Sequence, residues 1–182
     1  MDQPPSADAP RKEPDAIPAA GLLGRGINAL STLFSLAIIA SAAVLVMEIA
    51  LRYVFNAPTI WAHETVIFLT AITFVYGGLL VAARDRHIRV VLIYDALQPG
   101  ARRILNVAIS IANAVASAIF AWAAWQVVRR AIWTPAGAFR LETSGSAWNP
   151  PTPGLLKVFL FVVLIVMALQ FAVLAINYAR GR

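Results

Sequence analysis

Residues 158–179 read VFLFVVLIVMALQFAVLAINYA, a run of 22 positions without Asp, Glu, Lys, Arg or His. At ~1.5 Å rise per residue the run makes a helix long enough to cross a bilayer core of ~30 Å. Three further runs free of those five residue types have comparable length: 22 residues over 26–47, 19 over 65–83 and 25 over 104–128. The chain has 182 residues, of which 60% are hydrophobic and 13% charged. A water-soluble domain of that size has too much surface for its volume to hide so much apolar side chain. The four runs therefore specify an all-α integral membrane protein with four transmembrane helices.

Working outward from these runs, the sequence predicts helices over about Leu22–Val54, Ile60–Ala83 and Ala101–Ala131. A fourth opens after Asn149-Pro150-Pro151, a helix-start signal. Phe55-Asn56-Ala57-Pro58-Thr59 is a short turn in which Pro58 blocks helix continuation, so the first two helices must be antiparallel neighbours. Segment 85–100 mixes Ile88, Val90, Val91, Leu92, Ile93 and Leu97 with Arg86, Arg89, Tyr94 and Asp95. It is too short to span and reads as an amphipathic stretch at the membrane surface. Residues 1–20 contain five prolines and mixed charge, which predicts a disordered tail on the cytoplasmic side. Residues 21–182 then form a single membrane domain. The tail lacks the basic start and short apolar core of a cleaved signal peptide, so the first span is expected to remain.

Orientation follows from the basic residues. Ten (Arg11, Lys12, Arg25, Arg84, Arg86, Arg89, Arg102, Arg103, Arg180 and Arg182) fall on one side and five (Arg52, Arg129, Arg130, Arg140 and Lys157) on the other. The richer side is expected to be cytoplasmic, with both termini there. The net charge of +6 is spread over helix ends and accompanies no nucleic-acid-binding motif, which argues against that partner. With no cysteine, disulfides, thiolate nucleophiles and Cys-ligated metals are excluded. Hydrolase, P-loop, dinucleotide and zinc-protease motifs are absent, so no enzymatic centre is expected.

Glu48 and Arg52 stand four apart near the end of the first helix and share a face, where they can pair. Across the turn come Trp61, His63 and Glu64 in the first turn of the second helix. Trp61 suits an aromatic belt, and Glu64 suits the positive end of the helix dipole. An inter-helix cluster of Glu48, Arg52, Trp61 and Glu64 is expected, with Arg52 holding both carboxylates. His63 and His87 lie 24 positions apart, ~36 Å along a helix, so they cannot share a haem and no cofactor is expected. The third helix is dense in small residues, Ala108, Ser110, Ala112, Ala114, Ala116, Ser117, Ala118 and Ala121, and the second carries Gly77 and Gly78. Small side chains let helices approach closely in lipid, where no hydrophobic drive exists between them. Asn113 and Gln170 are mid-membrane amides expected to bond between helices.

Taken in order, Arg52-Tyr53-Val54-Phe55-Asn56, then Trp61 and Glu64, then Gly77-Gly78, then His87-Ile88-Arg89-Val90, the chain resembles the small membrane subunit (DctQ-type) of tripartite ATP-independent periplasmic (TRAP) transporters. Two positions depart from that pattern: an acid commonly follows the His-hydrophobic-Arg-Val run, where Val91 stands instead, and His63 beside Glu64 stands where a small or acidic residue is more usual. The resemblance implies a non-catalytic inner-membrane subunit. It would brace a large multi-helix subunit during ion-gradient-driven uptake of an organic acid delivered by a periplasmic substrate-binding protein. It also implies that Glu48, Arg52, Tyr53, Phe55, Asn56, Trp61, Glu64, Gly77, Gly78, His87 and Arg89 contribute to the partner interface. The rival readings are a stand-alone four-helix membrane scaffold and a redox subunit, the latter needing histidine pairs at compatible depth.

Overall fold

The structure, a computed structural model, describes residues 17–84 and 98–181. Four helices account for most of them: α1 (Gly21–Tyr53), α2 (Ala62–Ala83), α3 (Pro99–Ile132) and α4 (Thr152–Ala179). All four are long and apolar enough to cross a membrane. Their bounds follow the predicted helices to within two or three residues. The differences have local causes. Pro99 opens α3 because the first helical turn tolerates a missing N–H and a fixed φ. Helix α2 begins at Ala62, not near Ile60, because the Thr59 hydroxyl accepts the Ala62 N–H at 3.3 Å and keeps Ile60 and Trp61 in the turn. The amphipathic stretch expected before α3 falls largely in 85–97, outside the described residues.

The helices form an open row, not a closed ring. Helix α3 packs chiefly on α4, α4 on α2, and α2 on α1, while α1 meets α4 over a narrow region. Both row ends therefore show broad apolar faces, with Leu22 on α1 and Trp122 on α3 each about two-thirds or more exposed. Successive helices alternate in direction. The bend before α1, the end of α2 and the end of α4 gather at what we term the terminal end. The Asn56 turn and the 133–151 loop lie at the opposite, turn end.

The α3–α4 seam shows which small residues matter. Ser110, Ser117, Ala121, Val128 and Ala131 are buried, a recurrence of three, four and seven that lines one helix stripe. Ala108, Ala112, Ala116 and Ala118 are exposed on other faces, so periodicity and not small-residue density locates the contact. On α2, a Cβ added to Gly78 would lie 3.5 Å from the Met167 Cε of α4, whereas one on Gly77 would meet nothing within 4 Å.

Residues 18–20, the last part of the segment read as a tail, form a 3-10 turn packed into the row, with Ala19 and Ala20 buried against Ala82, Phe171 and Leu174. Gly21 follows with a φ of 65°, a backbone state that a Cβ would strain. Two amides on α4 hold this bend: Gln170 Nε2 donates to the Ala20 carbonyl at 3.2 Å and Asn177 Nδ2 to the Ala19 carbonyl at 2.7 Å. Buried carbonyls need such donors where no water can reach them.

Candidate partner interface at the α1–α2 turn

Helix α1 ends because Asn56 adopts a left-handed φ of 49°, tolerated by asparagine, and the Ala57 N–H reaches back to the Leu51 carbonyl at 2.9 Å. This stop, followed by Pro58, turns the chain toward α2 within a few residues. It also sets the last turn of α1 beside the first turn of α2.

Glu48 sits in that angle, buried to 6% exposure. One carboxylate oxygen accepts from Arg52 Nη2, an i,i+4 ion pair. The other accepts both the backbone N–H of Thr59, at 3.1 Å, and its hydroxyl. Since the same hydroxyl accepts from Ala62 N–H, one threonine ties the carboxylate of α1 to the start of α2. Three charge-assisted bonds to one carboxylate are what a buried acid requires in a low-dielectric setting. In the sequence Thr59 reads only as the edge of the turn. The signal for its role is an acid eleven residues before a helix-opening threonine, across a tight turn.

Around the clamp lies a shallow cavity of about 250 Å³ lined by Leu45, Ile49, Arg52, Tyr53, His63 and Val66, among others. His63, not Glu64, is the α2 polar residue on this side. Glu64 is ~100° further round the helix, which removes it from Arg52. Among the described residues Glu64 forms no ion pair, and its Oε2 is buried without a hydrogen-bond partner. Arg52 therefore holds one carboxylate, not two as expected. Its side chain stays 48% exposed.

Exposed aromatic and aliphatic groups surround the clamp: Tyr53 at 80%, Phe55 at 69%, and Val54, Ile60 and Trp61. Gly77 and Gly78 lie further along α2, away from this corner, and the two glycines differ in surroundings as described above. His87 and Arg89 lie outside the described residues.

Five further polar side chains bond between segments of this chain. Tyr76, stacked on Phe34 with ring centroids 3.8 Å apart, donates its hydroxyl to the Ile27 carbonyl of α1. Arg84 Nε donates to Asn28 Oδ1 at 2.8 Å, joining α2 to α1. Arg103 of α3 donates to the Tyr178 carbonyl at 3.0 Å and to the Ala179 carbonyl, closing the end of α4 with a cation where the helix dipole is negative. Gln170 bonds as an inter-element amide, as expected, although to the bend before α1. The Asn113 side chain forms no hydrogen bond with another described residue. Asn177, seven residues after Gln170 and so on the same face, is the partner that sequence reasoning misses; the i,i+7 pair of amides in one span is its signal. No group of three His, Cys, Asp or Glu that could hold a metal ion occurs among the described residues.

A family model described as "Tripartite ATP-independent periplasmic transporters, DctQ component" matches residues 41–181, more than half of the chain. Comparison with individual curated proteins gives no match.

Proposed function

We propose a bracing role for this chain, which belongs to the DctQ family of tripartite ATP-independent periplasmic transporters and is thus a multi-pass membrane component of such a system. In this reading it is a non-catalytic scaffold. A large multi-helix subunit carries the substrate and ion sites and moves against it, taking up an organic acid presented by a periplasmic binding protein. The observation that carries the reading is where the polar groups at the helix contacts go. Tyr76, Arg84, Gln170, Asn177 and Arg103 bond to other segments of this same chain, fastening its helices to one another. A part that holds still while its partner moves needs such cross-bonding between its helices, together with wide apolar faces to present to that partner.

The direct test is reconstitution. The purified small subunit in liposomes should show no ion-driven uptake of an organic acid, and adding the large subunit and the binding protein should restore it. Uptake by the small subunit alone would refute the bracing role.

We further propose that the terminal end is cytoplasmic and the turn end periplasmic, on the ten-to-five distribution of basic residues. Ala147 is exposed in the 133–151 loop and the chain has no cysteine, so Ala147→Cys supplies a single reporter. A membrane-impermeant maleimide added to intact spheroplasts should label it. Labelling only after the membrane is opened would reverse the orientation.

A further inference from the structure

At the turn end, α3 finishes with Arg129 and Arg130 in its last turn, and the loop that follows folds back along it. The Arg140 N–H bonds the Ile132 carbonyl and the Glu142 N–H bonds the Ala131 carbonyl, each at 2.8 Å. These bonds bring Arg140 beside Arg130 on one cleft, next to a second cleft lined by Arg129, Arg130 and Gln126. The two adjoin along Trp133 and Thr134 and measure about 260 and 580 Å³.

All three arginines are exposed, and none forms an ion pair among the described residues. The nearby acid, Glu142, is already engaged by Lys157. Helix-end electrostatics accounts for Arg129 and Arg130, because cations favour a helix C-terminus. It does not account for Arg140, which belongs to the loop.

Depth says what the guanidinium groups face. Arg102 and Arg129 are ~40 Å apart along α3 at ~1.5 Å per residue. A bilayer with its headgroups is ~40–45 Å thick, so arginines at both ends of α3 reach headgroup level. Trp125 and Trp133 meet edge-to-face with ring centroids 6.2 Å apart, and with exposed Trp122 they form an aromatic belt at this end. The two ends differ in one respect: Arg103 directs its donors to the last carbonyls of α4, whereas Arg129, Arg130 and Arg140 face outward.

We propose that Arg129, Arg130 and Arg140 form a binding site for the phosphodiester headgroup of an anionic phospholipid, of phosphatidylglycerol type, in the leaflet at the turn end. The planar guanidinium fork matches phosphate oxygens two at a time. Gln126 supplies a neutral polar contact for the glycerol hydroxyls, and the acyl chains run down the exposed apolar face of α3 beside Trp122. The site does not depend on the bracing role.

Native mass spectrometry of the full chain, released from detergent containing phosphatidylglycerol or phosphatidylcholine, tests the site. The wild type should retain phosphatidylglycerol in preference, and R129Q/R130Q should lower the retained fraction by about five-fold or more, given the attraction of each basic residue for anionic lipid. R129K/R130K keeps the charge but not the fork and should retain more lipid than R129Q/R130Q and less than the wild type, which separates lost recognition from misfolding. Millimolar inorganic phosphate should not displace the lipid. Equal retention by wild type and R129Q/R130Q, or displacement by phosphate alone, overturns the proposal. So does loss of binding-protein capture on R129Q/R130Q in membranes without anionic lipid, which would give the arginines to a protein partner.

Discussion

Arg52→Ala should strip the large subunit from this chain and abolish whole-cell uptake, while the binding protein keeps its affinity for its substrate. Glu48 is buried and its carboxylate is held from one side by Arg52 and from the other by Thr59. Without Arg52 the carboxylate keeps its threonine bonds, so α1 and α2 remain joined and the isolated chain should fold. What disappears is the half-exposed guanidinium, with donors to spare, set among exposed Tyr53, Phe55 and Trp61. Arginine flanked by aromatic side chains is the composition of an interface centre, where a single truncation commonly costs roughly tenfold or more in binding. Pull-down of the large subunit should fall on that scale. Arg52→Lys should recover part of it, since an ammonium keeps the charge but lacks the fork. Thr59→Val is the complementary variant. It removes the hydroxyl bond within the clamp and leaves the outward face of Arg52 in place, so it should loosen the turn more than it weakens assembly. Normal assembly and normal uptake for Arg52→Ala would leave this corner as ordinary charge at the membrane surface.

The second large effect is expected at Gly154, in the first turn of α4. A Cβ built there would stand 2.9 Å from Leu141 Cγ, 3.0 Å from the Glu142 carbonyl oxygen and 3.1 Å from the Glu142 nitrogen. Leu141 can rotate away, but the two backbone atoms are tied down by the bonds from Glu142 N–H to Ala131 and from Gly154 N–H to the Glu142 carbonyl. Gly154→Ala should therefore push the loop off α4 and destabilise the purified chain by about 1–3 kcal/mol, the usual range for forcing a methyl group into a filled space. Thermal unfolding in detergent reads this directly, and cleavage of the loop by added protease should rise in parallel. Gly77→Ala is the control. An added Cβ there meets nothing within 4 Å, so the isolated chain should hold its stability or gain slightly from better helix propensity. An unchanged melting curve for Gly154→Ala would mean that the loop does not pack against α4.

Much of the candidate site is legible in the amino-acid sequence. The Glu48–Arg52 pair follows from four-residue spacing, and the antiparallel turn follows from Asn56 and Pro58. Glu64 misleads because sequence distance across a turn says which helix ends meet but not which side of each helix faces the other. A fixed ~100° separates His63 from Glu64 in any α-helix, and which of the two faces α1 is set by how α2 is turned about its axis when it packs between α1 and α4. Thr59 escapes notice for a related reason, since its role depends on the depth at which the turn closes over Glu48.

Four membrane spans, their lengths and the tight first turn are determined by the sequence alone. These are local properties: an uncharged run either reaches across ~30 Å of hydrocarbon or does not. The order of the helices in an open row, the stripe of α3 that meets α4, and the clasp of Gln170 and Asn177 on the bend before α1 are decided only in the tertiary structure. In water a buried helix face announces itself by a periodic apolar stripe. Here every helix is apolar nearly all round, because lipid and neighbouring helix are equally good solvents for Leu, Val and Ile. What selects the neighbour is then close fit and a few hydrogen bonds, such as Gly78 against Met167 and Tyr76 on the Ile27 carbonyl. Those interactions have no period along the chain and exist only once the helices have met.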